Sequence, residues 1–340
     1  MEFNEYVSLH REDIRSKIFE YFTGEGPPGY SRMVREYSDR QGKYVRPGLL
    51  MVTGQLFGAV EKNLILPAAA MQLSEDWILI HDDVEDNSEM RRGKPALHRI
   101  YGSEHAINAG DGAHIIMWEM LRDYLKAQGM ERGLALFDKF GEILTATVEG
   151  QYLDIDFAKN IRQIGKADES MYYAIIERKT SCYSVWGPMQ LGAVVAGADA
   201  KALDLLKAVG TEAGAAFQIM DDVLDFTADE KSFGKQKYGD LYEGKLTLIA
   251  LHAYAEASDS EKERMDKIFA KERASKTKED VNFLVETIEK YKSVDYAYSV
   301  AMKHGDKAAS CLSENLELLP DNEFRKTFES AVYALFKRKK

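Results

Sequence analysis

The chain has 340 residues, a formal net charge of −11 at pH 7, 45% hydrophobic residues and 30% charged ones. That composition suits a globular core, and the acidic balance excludes a general nucleic-acid binder, which needs a broad basic surface. Two cysteines, Cys182 and Cys311, exclude a disulfide framework and lack metal-ligand spacing, so a cytoplasmic location is expected.

Read from the start, Met1 to Glu5 lack the basic and apolar regions of a signal peptide. No stretch approaches the roughly 20 apolar residues that span a bilayer. Apolar residues at spacings of three and four predict helices nearly throughout, most clearly over 66–84, 134–157, 171–195 and 203–226. Strand-like alternation is scarce. Seven prolines fall at expected breaks, at positions 27, 28, 47, 67, 95, 188 and 320. Pro67 suits the first turn of the helix that reaches Asp82. Residues 258–280 read as solvated helices or a loop excursion, and no linker or fixed-period repeat appears. The expectation is an all-α fold, one domain over residues 1–340.

Two acidic segments stand out, Asp82-Asp83-Val84-Glu85-Asp86 and Asp221-Asp222-Val223-Leu224-Asp225. On a helix, residues four apart share a face, so Asp82 pairs with Asp86 and Asp221 with Asp225. Such like charges repel unless a cation sits between them, and Mg²⁺ suits one or two carboxylates plus phosphate and water. A lone acidic quartet is ordinarily a solvated helix face. Here each emerges from an apolar run, Leu79-Ile80 or Phe217 to Met220, as at the mouth of a buried pocket. Neither segment has the central glycine or closing glutamate of an EF-hand. Basic residues able to grip phosphate lie nearby: Lys43 and Arg46 before Pro47, Arg91-Arg92-Gly93-Lys94, Lys179-Thr180, Lys235, and Lys245 after Gly239-Asp240. The closing run 337–340 is a basic tail.

Taken in order, these motifs resemble the trans-isoprenyl diphosphate synthases of the polyprenyl synthetase family. The match runs over about residues 42 to 247: Gly42-Lys43 with Arg46-Pro47, Asp82 to Asp86, Arg91-Arg92-Gly93 with Pro95, and Gly110-Asp111. It continues through Glu149-Gly150-Gln151 with Asp154, Lys179-Thr180, Phe217 to Asp225, and Gly239-Asp240 to Lys245. The resemblance implies one large helical bundle around a deep central cavity, working as a homodimer. It implies condensation of an allylic diphosphate (dimethylallyl, geranyl or farnesyl) with isopentenyl diphosphate, head to tail, releasing pyrophosphate. It further implies three Mg²⁺ ions, for which Mn²⁺ can substitute, two held by Asp82 and Asp86 and one by Asp221. Asp83, Asp222 and Asp225 would complete those shells. Arg91, Lys179, Lys235 and Lys245 would grip the allylic diphosphate; Lys43, Arg46 and Arg92 would bind isopentenyl diphosphate; Thr180 and Gln218 would line the reacting centre. His81 reads as structural.

One position departs from the resemblance. Glu75 stands where the family often has a His or Gln facing isopentenyl diphosphate, and an ionised carboxylate there would repel phosphate. Glu75 is expected to pair with Lys43 or Arg46, or else Gln72 supplies the donor. In the family the residues five and four before the first aspartate floor the product cavity; here they are Trp77 and Ile78. The bulky Trp77 resembles a geranylgeranyl diphosphate producer, with farnesyl diphosphate as the second reading. A terpene cyclase would not need Lys43 and Arg46 or a second full Asp segment, and a regulatory subunit of a hetero-oligomeric synthase typically loses one.

Overall fold

The computed structural model describes residues 1–24, 26–40, 42–227 and 237–337. In chain order the helices are α1 (Phe3–Phe19), α2 (Tyr30–Val34), α3 (Glu36–Asp39), α4 (Val45–Leu56), α5 (Glu61–Glu85), α6 (Leu97–Tyr101), α7 (Ser103–Gln128) and α8 (Met130–Asp156). They continue as α9 (Glu169–Ile175), α10 (Gly187–Ala196), α11 (Ala200–Thr227), α12 (Gly239–Glu243), α13 (Leu248–Glu256), α14 (Asp259–Phe269), α15 (Lys278–Lys290), α16 (Ser293–Ser313) and α17 (Arg325–Phe336). Between α9 and α10 the backbone widens into a π-helical stretch, Ile176–Trp186. The fold is all-α, and no described helix is long and apolar enough to cross a membrane.

Two buried clusters organise these elements. The larger is built on α4, α5, α7, α8 and α10 from side chains such as Leu50, Leu73, Ile80, Met117 and Leu136. The smaller joins α9 and α13–α16 through Tyr172, Leu248, Met265, Leu284 and Ala297. Helix α11 serves both: Leu206, Val209 and Ala213 lie in the first, and Ile219, Met220 and Val223 in the second. Its second Asp segment follows that handover, on the side of the smaller cluster. The polar run 258–280 includes α14, which opens on a Ser258/Glu261 capping box and buries Met265, Ile268 and Phe269. It is a solvated helix with one packed face.

Helix α5 corrects one expectation. It begins at Glu61, so Pro67 lies inside it rather than in its first turn. The missing N–H costs only the bond to Asn63, close to the helix start, and apolar burial of α5 offsets that loss. At the other end Asn87 takes a left-handed conformation (φ 54°), and the Ser88 amide donates to the Asp83 carbonyl at 2.9 Å. The first Asp segment thus occupies the last turn of a helix with a fixed end.

A small hairpin follows, β1 (Met90–Arg91) against β2 (Lys94–Pro95), with Arg91 opposite Lys94. Its two central residues, Arg92 (φ 51°) and Gly93 (φ 74°), both have positive φ, as tight two-residue hairpin turns require. The turn sends the neighbouring Arg91 and Arg92 to different carboxylates.

Candidate functional site

The site is built from α5, the hairpin, α8, the π-helical stretch, α11 and the 238–245 segment. Within the first Asp segment the three aspartates do different work. Asp83 is fully buried. Its Oδ1 and Oδ2 each accept from Arg91 Nε at 3.0 Å, and Oδ2 also accepts from the Tyr37 hydroxyl at 2.5 Å. Asp82 and Asp86 look the other way, toward lysines. Lys179 Nζ lies 3.4 Å from Asp82 and 2.5 Å from Asp154, while Lys245 Nζ lies 2.7 Å from Asp86 and 3.1 Å from Glu243. Arg91 Nη2 also reaches Asp82, at 3.4 Å. Gln151 donates to Asp82 at 3.2 Å and to Glu85 at 2.7 Å.

Burial of these ions sets their protonation. It pushes Asp86 up to about 7; Lys245 pulls against that rise, and Asp82 and Glu243 add to it. Burial alone would lower Lys179, but Asp154 and Asp82 outweigh it and hold its ammonium charged. Asp154 responds in turn: burial raises it, yet Lys179 and Lys245 keep it below the usual carboxylate range.

The π-helical stretch links the two Asp segments. Lys179 reaches Asp82, and its neighbour Thr180 donates to Gln218 Oε1 at 2.7 Å. Gln218 then donates to Asp222 at 2.8 Å, and the Tyr172 hydroxyl donates to the same carboxylate at 2.7 Å. Asp222 is buried, and that burial pushes it up to about 7 against these hydrogen bonds, with Asp221 and Asp225 adding to the rise. Gly150 lets α8 approach this stretch, since a Cβ there would lie 2.4 Å from the Lys179 nitrogen.

A second link runs through the 238–245 segment. The Asp240 amide donates to Asp225 at 3.3 Å, the Lys245 amide donates to the Asp240 carbonyl at 3.0 Å, and the Lys245 side chain holds Asp86. This segment is anchored from behind. Lys276 is buried and donates to the Leu241 and Tyr242 carbonyls at 3.0 and 2.9 Å. Arg273 pairs with Glu243 at 2.5 Å. Burial pushes the Lys276 amine down to about 8. Lys235 lies outside the described residues, as do residues 338–340 of the basic tail.

The second group of cations gathers on Glu75. Arg46 Nη1 lies 3.0 Å from Glu75 Oε2, and Arg92 Nη2 lies 3.2 Å from its Oε1. Of the two partners expected for Glu75, Arg46 is present and Lys43 is not: Lys43 is exposed. Gln72 directs its donor to Asp76 at 3.3 Å instead. Sequence reasoning missed Asp76, Tyr37, Tyr172 and Ser184, each a buried polar side chain that orients a site residue. Asp76 within the apolar run 68–80 carried a signal, because a buried carboxylate needs a partner.

Trp77 is 8% exposed and packs on His114 (ring centroids 4.6 Å apart) and on His81 (5.7 Å). His114 accepts from Trp118 Nε1 at 2.8 Å. Ile78 is half-buried beside this ladder. His81 Nε2 lies 3.1 Å from the Ile107 carbonyl, in keeping with a structural part.

For a metal, the chemistry of the donors decides. Asp82 and Asp86 share one face at the end of α5; burial raises Asp86 against the pull of Lys245, with Asp82 and Glu243 adding to the rise. Hard oxygen ligands of this kind suit a divalent cation. Another group, His10, Asp13 and Glu61, brings ligand atoms within 4.8 Å of one another, where α1 meets the start of α5. Asp13 and Glu61 there are exposed, so that group has the character of a solvated surface.

The family described as polyprenyl synthetase matches residues 27–288. The chain is 33% identical over 312 residues to the geranylgeranyl diphosphate synthase of Sulfolobus acidocaldarius, covering 92% of this chain and 91% of that one. It is 29% identical over 348 residues to the geranylfarnesyl diphosphate synthase of Natronomonas pharaonis, covering 98% and 96%. Among solved structures it resembles a polyprenyl synthase from Caulobacter crescentus complexed with calcium and isoprenyl diphosphate. There the TM-score is 0.84 at 26% identity, covering 99% of this chain and 98% of that one.

Proposed function

The chain belongs to the polyprenyl synthetase family and is a trans-prenyltransferase, and we propose that it makes geranylgeranyl diphosphate from isopentenyl diphosphate and a shorter allylic diphosphate. The observation that carries this reading is the convergence of Arg91, Lys179 and Lys245 on Asp82 and Asp86. Buried cations and carboxylates of this kind exchange partners when an anionic diphosphate and its divalent counter-ions enter.

In the proposed reaction the allylic C1–O bond breaks heterolytically and its electron pair leaves with pyrophosphate. Arg91, Lys179 and Lys245 stand where that charge collects, fixed in advance by Asp83, Asp154 and Glu243. The double bond of isopentenyl diphosphate supplies the electrons of the new C–C bond, and a proton from the resulting cation passes to a pyrophosphate oxygen. Thr180 and Gln218 line the reacting centre, and apolar helix faces exclude water from the cation. Asp82, Asp86, Asp221 and Asp225 would hold the metal, with Mg²⁺ (three ions) preferred and Mn²⁺ as a substitute. When bound, it would neutralise the leaving diphosphate. Asp83 and Asp222 are read here as positioning residues, because each is buried with both of its carboxylate oxygens accepting from protein donors.

Lys43, Arg46 and Arg92 are read as the isopentenyl diphosphate grip, and Trp77 with Ile78 as the floor of the product cavity. We read residues 1–340 as one domain because α11 belongs to both cores, and the location as cytoplasmic. A second copy of the chain would cover Ile107 and Ile115 of α7 with Leu134 and Val148 of α8, apolar side chains that are 42–59% exposed. Incorporation of labelled isopentenyl diphosphate by the purified chain, with each allylic primer and Mg²⁺, tests the reading. Absence of incorporation with every primer would overturn it.

A further inference from the structure

Glu75 sits on α5 two turns before Asp82, between the guanidinium groups of Arg46 and Arg92. Each arginine is held from another side as well. Arg46 Nη2 donates to Ser184 Oγ at 2.8 Å, and its guanidinium lies 4.8 Å over the Tyr183 ring. The Tyr183 hydroxyl is itself fixed, 2.9 Å from Ser74 Oγ. Arg92 Nη1 donates to the Tyr37 carbonyl at 2.7 Å and to Asp76 at 2.8 Å. Neither arginine depends on Glu75 for its orientation. What Glu75 adds is a negative charge in the gap between two positive ones.

The charge of the cluster sharpens this. Arg46 and Arg92 carry two formal positive charges, and the carboxyls of Glu75 and Asp76 face them; burial raises Asp76, with Arg92 and Ser38 pulling against that rise. Burial raises Glu75, but the two guanidinium groups outweigh it and keep its carboxyl below the usual range. An anion arriving here meets a pair of arginines already facing the Glu75 carboxylate.

We infer that Glu75 is a built-in competitor for the diphosphate of isopentenyl diphosphate, occupying the bridge between Arg46 and Arg92 that the substrate's phosphate oxygens need. The inference rests on the reading of those arginines as the isopentenyl diphosphate grip. A diphosphate carries more charge and more acceptor oxygens than one carboxylate, so it wins the exchange when the hydrocarbon end also binds. Inorganic pyrophosphate meets the same penalty without that apolar anchor to offset it. Glu75 thus raises the threshold for every anion, and the apolar contacts of an isoprenoid tail are what clear it.

The test is steady-state kinetics on the purified full chain with Mg²⁺, varying isopentenyl diphosphate at a saturating allylic diphosphate. Wild type is compared with Glu75→Gln and Glu75→Ala. Removing one charge a few ångströms from a diphosphate is expected to lower KM for isopentenyl diphosphate about tenfold in both variants. Inorganic pyrophosphate becomes a correspondingly stronger competitor against isopentenyl diphosphate, while KM for the allylic substrate stays within about twofold because Arg91, Lys179 and Lys245 are untouched. An unchanged or higher KM for isopentenyl diphosphate in both variants would overturn the inference, since Glu75 would then be orienting the arginines. If Glu75→Gln fails to fold, Glu75→Ala alone decides, because it removes the carboxylate without placing a polar group between the arginines. Lack of incorporation by wild type would instead overturn the prenyl-transfer reading itself.

Discussion

Replacing Trp77 by alanine is expected to lengthen the product. Trp77 lies five residues before Asp82, about 7.5 Å along the axis of α5. With its ring removed, the next large buried side chain toward the start of the helix is Leu73, about 6 Å deeper, close to the length of one five-carbon unit. The product therefore shifts from C20 toward C25. Truncating a buried tryptophan ordinarily costs about 3–5 kcal/mol. Here the loss falls toward about 3 kcal/mol, because Trp77 Nε1 is buried without a hydrogen-bond partner and its removal relieves that penalty. The assay is chromatographic analysis of dephosphorylated products from a farnesyl diphosphate primer and labelled isopentenyl diphosphate, beside a melt confirming the fold. A folded variant with unchanged product length would refute the assignment of Trp77 as the floor.

Asp86→Asn is expected to abolish Mg²⁺-dependent turnover yet leave the metal-free melting temperature level or higher, because its buried carboxyl is strained toward the neutral form. Asp83→Asn leaves the Arg91 guanidinium with a weakened partner and destabilises by about 3 kcal/mol, read by denaturant unfolding. The raised Asp86 and Asp222 carry protons in the metal-free folded state up to about pH 7 that the unfolded chain releases near pH 4. Their contribution to stability is present at low pH and lost as pH rises from about 4 to about 7. Mg²⁺ affinity, measured by calorimetry, correspondingly climbs through pH 7 with release of protons. Lys276→Met removes two hydrogen bonds beneath Lys245 and costs about 2 kcal/mol. In wild type the Lys276 amine sheds its proton near pH 8 while the unfolded chain keeps it to higher pH. This group's contribution therefore grows from about pH 8 to 10, a slope absent from the variant.

Much of the site was legible because helical periodicity is strict. The spacing of Asp82 and Asp86 alone placed both on one face, and the structure puts a lysine against each. What escaped depends on contacts between distant segments. That Arg91 and Arg92 serve different carboxylates follows from two positive-φ residues in a hairpin, which an Arg-Gly pair signals only weakly. The bridging of Glu75 between Arg46 and Arg92 joins α4, α5 and the hairpin, and no local pattern encodes such a meeting. Lys276 lies about 30 residues beyond the recognisable motifs, in a run that reads only as polar, yet it anchors the segment carrying Lys245. Pro67 misled for the opposite reason: a strong local rule placed it in a first turn, and packing of α5 overrode it.

Prenyl transfer ending at twenty carbons is open to direct test. Purified protein, Mg²⁺, labelled isopentenyl diphosphate and each primer in turn, with product lengths resolved after dephosphorylation, test it most directly. Incorporation dependent on divalent metal is expected, with geranylgeranyl diphosphate as the main product from every accepted primer. A main product of fifteen carbons, or of twenty-five and more, would contradict the chain length, and no incorporation at all would contradict the function.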